Sequence, residues 1–397
     1  MSQQLISLND DLRRLRDEGY EVEIRSSHLL VHSVPYVTSA CTIAYGSLVS
    51  ELSMAGADRT SAPGTHVAHF IGGPPRKADG SEISGIMLSH QRTQLAPDLW
   101  IDCSFSNRPA GGAYPDYYQK MTRYIEIISF QAKAIDNTVD ARTYKLNESS
   151  EPDSVFRYLD TASSRAGIMA LNARLASQKV AIVGLGGTGA YILDFIAKTP
   201  VRELHLFDAD EFHQHNAFRS PGAAGNDVWK DGSPTKVDHL ADVYGQMRRG
   251  IFAHAERIHE ENVGVLLDFD FVFICVDKGS PRKLIVEALA KAGRHFVDVG
   301  MGVQLDAQQQ QLWGVCRVTT GAPGDGSYLG KRIPMGDNDG NDVYGQNIQI
   351  VELNALTAVM AVVRLKKLLG FYSDDRRERN STYSTNFNML SSDEVPE

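Results

Sequence analysis

A short apolar-rich run, Lys179 to Val183 (KVAIV), passes directly into Gly184-Leu185-Gly186-Gly187-Thr188-Gly189 and then into a helix-forming stretch, Ala190 to Lys198. This segment limits the fold most tightly. A strand, a glycine turn and a helix N-terminus bring free N–H groups and the positive end of a helix dipole to one point, an arrangement suited to phosphate. Gly184, Gly186, Gly187 and Gly189 divide three tasks: a tight turn, close backbone approach to a nucleotide, and close packing of helix on strand. Further apolar runs follow at helix-length intervals: Glu203 to Phe207 (ELHLF), Phe271 to Val276 (FVFICV) and His295 to Val299 (HFVDV). From about residue 155 the spacing therefore predicts an α/β domain with a Rossmann-like, mainly parallel sheet. The glycine pattern alone selects no chemistry, since many dinucleotide enzymes share it and a tight turn without any nucleotide would also use it.

The residues that follow narrow the choice. The second run ends in Phe207-Asp208-Ala209-Asp210, where a dinucleotide fold sets an acidic residue on a ribose, and either Asp208 or Asp210 could serve. Asn216 and Arg219 come next, then Lys236 in Ser233-Pro234-Thr235-Lys236. Hydride transfer needs little positive charge beyond pyrophosphate recognition. A triphosphate about to lose pyrophosphate needs Arg and Lys where charge builds as the bond breaks. Cys275-Val276-Asp277 closes a strand at its carboxyl end, the edge where α/β ligands bind, so Asp277 is a candidate Mg2+ ligand.

The order of these residues resembles the adenylating domain shared by ubiquitin-activating enzymes and the bacterial ThiF and MoeB proteins, over roughly residues 155 to 372. That family runs from G-x-G-G-x-G through D-x-D, N-x-x-R-Q and a Lys to a strand-ending Asp with an Arg five residues on. Here these are Gly184 to Gly189, Asp208 and Asp210, Asn216 and Arg219, Lys236, and Asp277 with Arg282. Ser220 stands where the family usually has Gln, and Cys-x-x-Cys zinc pairs are absent. The resemblance implies ATP-dependent adenylation of the C-terminal carboxylate of a ubiquitin-like protein, the activating step of a bacterial ubiquitination-like pathway, with a conjugating-type partner. It implies Asp210 on the ribose, Arg219 and Lys236 on the phosphates, Asn216 orienting the phosphate chain, and Asp277 on Mg2+. It also implies a homodimer in which each site borrows an Arg, Arg157 or alternatively Arg165. The segment from Met335 to Asn347, where relatives carry an acyl-accepting Cys, has none. That leaves Cys316, an oxyester on Ser327, or direct handover of the adenylate, with no thioester on this chain favoured. Two alternatives accompany this reading: a sulfur-carrier adenylyltransferase of thiamine or molybdopterin type, and a catalytically silent nucleotide-binding scaffold.

The remaining sequence sets bounds. The chain has 397 residues with 42% hydrophobic content, which suits two domains and a tail: 1–150, 151–372 and a polar, solvated tail 373–397. A net charge of -9 with no long basic run argues against nucleic acid as the main partner. No apolar stretch is long enough to span a bilayer, and the opening residues lack a signal-like core, so a cytoplasmic location is expected. Four scattered cysteines give no disulfide framework. In the first half a charged helix (8–18) precedes β-rich runs at His28 to Val37, Thr42 to Leu52 and Thr65 to Ile71. A helix from Asp116 to Ile135 follows, with Tyr117, Met121, Tyr124 and Ile128 on one face, and the polar stretch 147–153 is the expected linker. This α+β order is similar to the ubiquitin-conjugating or RWD-type fold. Cys103 alone stands at a plausible depth for a conjugating cysteine, and the half is expected to be a noncatalytic recognition domain.

Overall fold

The computed structural model describes residues 2–83, 85–146, 154–306, 308, 310–321, 326–336 and 349–393. The chain divides into two compact units, Met1–Asp153 with Leu159–Ala166, and Ser154–Tyr158 with Gly167–Glu397. The expected linker 147–153 lies outside the described residues.

The first unit opens with helices α1 (Ser2–Leu8) and α2 (Asp10–Asp17). An antiparallel meander follows, β1 (Val22–Arg25), β2 (His28–Val37), β3 (Ile43–Glu51) and β4 (Val67–Ile71), then the short strands β5 (Met87–Ser89), β6 (Thr93–Ala96), β7 (Leu99–Ile101) and β8 (Cys103–Ser106). The main sheet runs β1-β2-β3-β4-β8-β5. One face carries α3 (Tyr117–Ile135), whose N-terminus is capped by the Asp116 carboxylate. Tyr117, Met121, Tyr124 and Ile128 of α3 are fully buried against Leu29, Val31, Phe70 and Phe105. A short helix beyond the linker, α4 (Thr161–Arg165), belongs to this unit because Ser164 bonds the buried Arg16–Asp17 pair.

The second unit contains α5 (Met169–Asn172), β9 (Lys179–Val183), α6 (Gly187–Ala197), β10 (Glu203–Phe207), α7 (Gln214–Ala217), α8 (Lys236–Gly245) and β11 (Ile251–His254). Then come β12 (Phe271–Ile274), α9 (Gly279–Lys291), β13 (His295–Asp306), β14 (Gln311–Gly321), α10 (Gly326–Arg332), α11 (Val351–Leu368), β15 (Asn380–Ser384) and β16 (Met389–Asp393). The sheet order is β11-β10-β9-β12-β13-β14-β15-β16, parallel from β11 to β13 and antiparallel beyond. Counted within the unit this begins 3-2-1-4-5, the doubly wound order. The strands bury both faces in alternation. Val180, Ile182, Leu204 and Leu206 face α6 and α11, whereas Ala181, Val183, Val272 and Ile274 face α9. Order reverses between β9 and β12, and the position outside the carboxyl ends at such a reversal is where sheets of this kind bind ligands.

The tail departs from expectation. Residues 373–393 are not a solvated loose end, because β15 and β16 extend the sheet from β14. Their charges and amides are used internally: Glu378 pairs with Arg364 and Lys367 of α11, and Asn380 accepts a hydrogen bond from Thr319. Among the described residues no helix is long and apolar enough to cross a membrane.

Candidate active site at the sheet crevice

The glycine loop forms as its spacing requires. Gly184 leaves β9 with φ +91°, and its N–H donates to the Phe207 carbonyl at the end of the neighbouring strand. A Cβ on Gly184 would stand 2.8 Å from the Cys275 carbonyl oxygen, and one on Gly189 would collide with the Gly184 carbonyl. The helix α6 then starts at Gly187 with its first N–H groups at the crevice, and these glycines leave a cradle that suits phosphate.

The two aspartates after β10 have separate roles. Asp208 is nearly buried, and its carboxylate accepts from the backbone N–H of Leu185 (2.7 Å) and of Asp210 (2.9 Å), so it braces the loop. Asp210 is half exposed, and its two oxygens meet Lys236 Nζ (2.9 Å) and Arg257 Nη2 (3.0 Å). The Lys236 ammonium, helped by Arg257, holds the Asp210 carboxyl below the usual carboxylate range. Lys236 itself begins α8, which Thr235 caps, and its Nζ also lies 3.6 Å from Asp208.

Arg219 is treated differently. Its Nε is buried and has no hydrogen-bond partner among the described residues, and burial pulls the guanidinium below its usual pKa while the charge of Asp277 pulls the other way. A desolvated cation left with an unmet donor is costly unless something anionic completes it. Asn216 is buried, and its Oδ1 accepts from the His213 N–H, fixing the short helix α7 that leads to Arg219. Among the described residues no three His, Cys, Asp or Glu converge on a metal position. A Mg2+ ion here would take most of its oxygens from phosphates, with Asp277 as carboxylate, a donor set that suits this ion.

The model of the ThiF family matches residues 163–396, well over half of the chain. The chain belongs to the ThiF family. Residues 10–161 match a second model, described as a domain of unknown function (DUF6791). This ThiF-family protein has the adenylyltransferase fold of its family in the second unit. Among solved structures it is similar to E. coli MccB with ATP (14% identity, 57% of this chain and 66% of that chain, TM-score 0.44). It is likewise similar to E. coli MccB with AMPCPP and MccA (13%, 60% and 72%, 0.46) and to PaaA (17%, 57% and 76%, 0.44). The match to the first of these spans just under two thirds of that chain. No curated protein matches the sequence.

The other expected residues of this ThiF-family chain are dispersed. Arg157 donates from Nε to the Gly245 carbonyl (2.5 Å), at the far end of α8 from Lys236 and roughly 14 Å along the helix axis. It lies away from the Asp208–Lys236 cluster of its own chain. Arg165 is an exposed residue of the first unit. Cys316 is fully buried with Sγ against the Leu353 carbonyl, and burial pushes its thiol up, the state of an inert core cysteine. The side chain of Ser327 and residues 337–348 lie outside the described residues. Two contacts escape the sequence reading. Arg257 sits in the charged run Ala255 to Asn262, which carries no motif. Asn354 is a buried polar residue in an otherwise apolar helical run, and that contrast is a usable signal. Its Oδ1 accepts from Thr188 of the glycine loop while its Nδ2 has no partner among the described residues.

Proposed function

We propose that this protein adenylates the C-terminal carboxylate of a ubiquitin-like protein at the β9–β12 crevice. The observation that carries the reading is Arg219, a half-buried guanidinium whose Nε has no hydrogen-bond partner among the described residues and which lies within the field of Asp277. Hydride transfer gives no use for such a cation. Phosphoryl chemistry does, because negative charge develops on the departing phosphates.

In the reaction a carboxylate oxygen attacks the α-phosphorus of ATP. The bond from that phosphorus to the bridging oxygen of the β-phosphate breaks, and pyrophosphate leaves with the electron pair. Both reactants are anionic and the nucleophile is weak, so rate must come from alignment and neutralisation. The N–H groups opening α6 hold phosphate, Asp210 accepts from the ribose hydroxyls, and Arg219 and Lys236 neutralise the leaving group. Lys236 swings from its pairing with Asp210 to do so. Asn216 keeps the Arg219 segment in place, and Asp277 holds Mg2+, which when bound polarises the phosphates.

The acyl adenylate then passes directly to a conjugating-type partner, as the burial of Cys316 favours. The first unit serves as a noncatalytic recognition domain. Cys103 is buried with its thiol pushed up to about 12, so it is unsuited to thioester exchange. Arg157, exposed and anchored away from its own site, serves the site of a second copy in a homodimer. Mixing Arg157→Ala and Asp277→Ala chains restores activity in part if the borrowing is correct, since one site of each mixed dimer then has both residues. The test of the main reading is exchange of labelled pyrophosphate into ATP, supported by a small protein with a Gly-rich C-terminus encoded nearby. Exchange supported only by a sulfur carrier, with a thiocarboxylate product, would instead favour the cofactor-biosynthesis alternative.

A further inference from the structure

Asp298 on β13 is fully buried, and its two carboxylate oxygens hold two arginines: Arg282 Nε at 3.1 Å and Arg317 Nη2 at 2.5 Å. The arginines then diverge. Arg317 turns along its own strand and donates to Thr319 Oγ1 (2.6 Å). Arg282, in the first turn of α9, donates from Nη2 to the carbonyl of Val276 and from Nη1 to the carbonyl of Pro334 (3.3 Å). Strand pairing of β12 ends at Ile274, so the Val276 carbonyl has left the sheet ladder and Arg282 takes over its bonding. The residue immediately after that carbonyl is Asp277.

We infer that Arg282 is a positioning residue, clamped by Asp298, that fixes the backbone before Asp277 and thereby sets the metal-holding reach of that carboxylate. The inference rests on the adenylating reading above, in which Asp277 faces Mg2+·ATP. A planar guanidinium suits the task because its donors leave in fixed directions, one branch for the carboxylate and others for the two carbonyls. Displacements on the order of 1 Å at such a carboxylate are enough to cost about 100-fold in a tightly aligned site. Arg317 provides the internal control, since it grips the same carboxylate and leaves the Val276 carbonyl untouched.

The experiment measures ATP binding to the full chain by calorimetry, once in excess EDTA and once with Mn2+, with bound Mn2+ followed by electron paramagnetic resonance. Arg282→Gln and Arg317→Gln each leave Asp298 with one arginine, so neither strands a buried charge. The expected result is that Arg282→Gln keeps its EDTA affinity within about twofold of wild type but loses at least about tenfold of the Mn2+-dependent gain, with an altered Mn2+ spectrum, following the scale just given. Arg317→Gln keeps both. An intact Mn2+ gain in Arg282→Gln, or equal losses in the two variants, would overturn the inference. Should the glutamine variant unfold, Arg282→Lys preserves the ion pair but offers one point donor, and the same loss is expected. Wild-type protein that binds ATP without any metal gain also overturns it, leaving the nucleotide reading intact; wild type that binds no ATP removes both.

Discussion

Lys120 in the first unit and Arg219 in the second are both long cations drawn in from solvent, and the fold treats them in opposite ways. Lys120 is fully buried on α3, and its ammonium donates to Ser50 Oγ (2.8 Å) and to the Thr65 carbonyl (2.9 Å). Burial brings it down to about 8, against the opposing pull of the Glu51 charge. Arg219 has a buried Nε with no acceptor among the described residues. The second unit is capable of completing such a group: Arg248 is buried deeper than Arg219, and its guanidinium meets the carbonyls of Arg249, Thr199 and Val201. A buried cation whose donors are met belongs to the architecture. One whose donor is left unmet among the described residues, as in Arg219, is the group that the proposed function assigns to a ligand's phosphates.

The difference has measurable consequences. The largest is at Arg219: Arg219→Ala should lower pyrophosphate exchange by about 100- to 1,000-fold, the scale of a lost preorganised charge partner, while unfolding stability stays level or rises. A stability loss above about 1 kcal/mol would make Arg219 another structural cation and break the contrast. Next is the pH dependence of Lys120. Its folded pKa lies below the ordinary 10.5, so between about pH 8 and 10.5 the unfolded chain binds the extra proton and stability rises with pH. The gap between wild type and Lys120→Met in denaturant melts should widen in wild type's favour by roughly 3 kcal/mol across that window. A gap that is flat with pH would contradict the buried charge.

Gly189→Ala comes third. Its Cβ would press on the Gly184 carbonyl, an overpacking of about 1 to 3 kcal/mol that should appear as weaker ATP binding and a lower melting temperature. Unchanged ATP affinity in that variant would separate the glycine loop from the nucleotide. The smallest effect is at Asp210. Its lowered pKa means that its ion pairs help the fold above the ordinary carboxylate range and fade as pH falls through the folded value. Being half exposed, Asp210→Asn should change stability by less than about 1 kcal/mol while reducing discrimination between ATP and its 2′,3′-dideoxy analogue.

Legibility followed the same division. The strands β9 and β10 and the helix α3 were readable almost to the residue, because buried parallel strands are continuous apolar runs and α3 repeats its apolar face every three to four positions. The outer half of β13, and all of β15 and β16, were not. There Gly302, Gln304, Thr382 and Ser391 lie in an antiparallel extension with few buried side chains, so hydrophobic pattern has little to report. In the site, the residue types and order of Asp208, Asp210, Arg219, Lys236 and Asp277 were visible in the sequence. Which aspartate braces the loop and which faces outward was not, because that depends on the Leu185 N–H reaching one carboxylate across 23 positions. Arg257 and the Arg282–Asp298 clamp were hidden for the same reason, since both are set by topology rather than by local pattern.

The central claim is that the crevice transfers AMP to a protein carboxylate and that Arg219 is held ready for the departing phosphates. Its most direct test is labelled pyrophosphate exchange into ATP with a Gly-tailed carrier, run beside the same carrier with its C-terminal carboxylate amidated and beside the Arg219→Ala enzyme. The account predicts exchange with the free carboxylate, none with the amide, and a loss of about 100-fold or more in the variant. Exchange that persists with the amidated carrier, or that Arg219→Ala leaves unchanged, would contradict it.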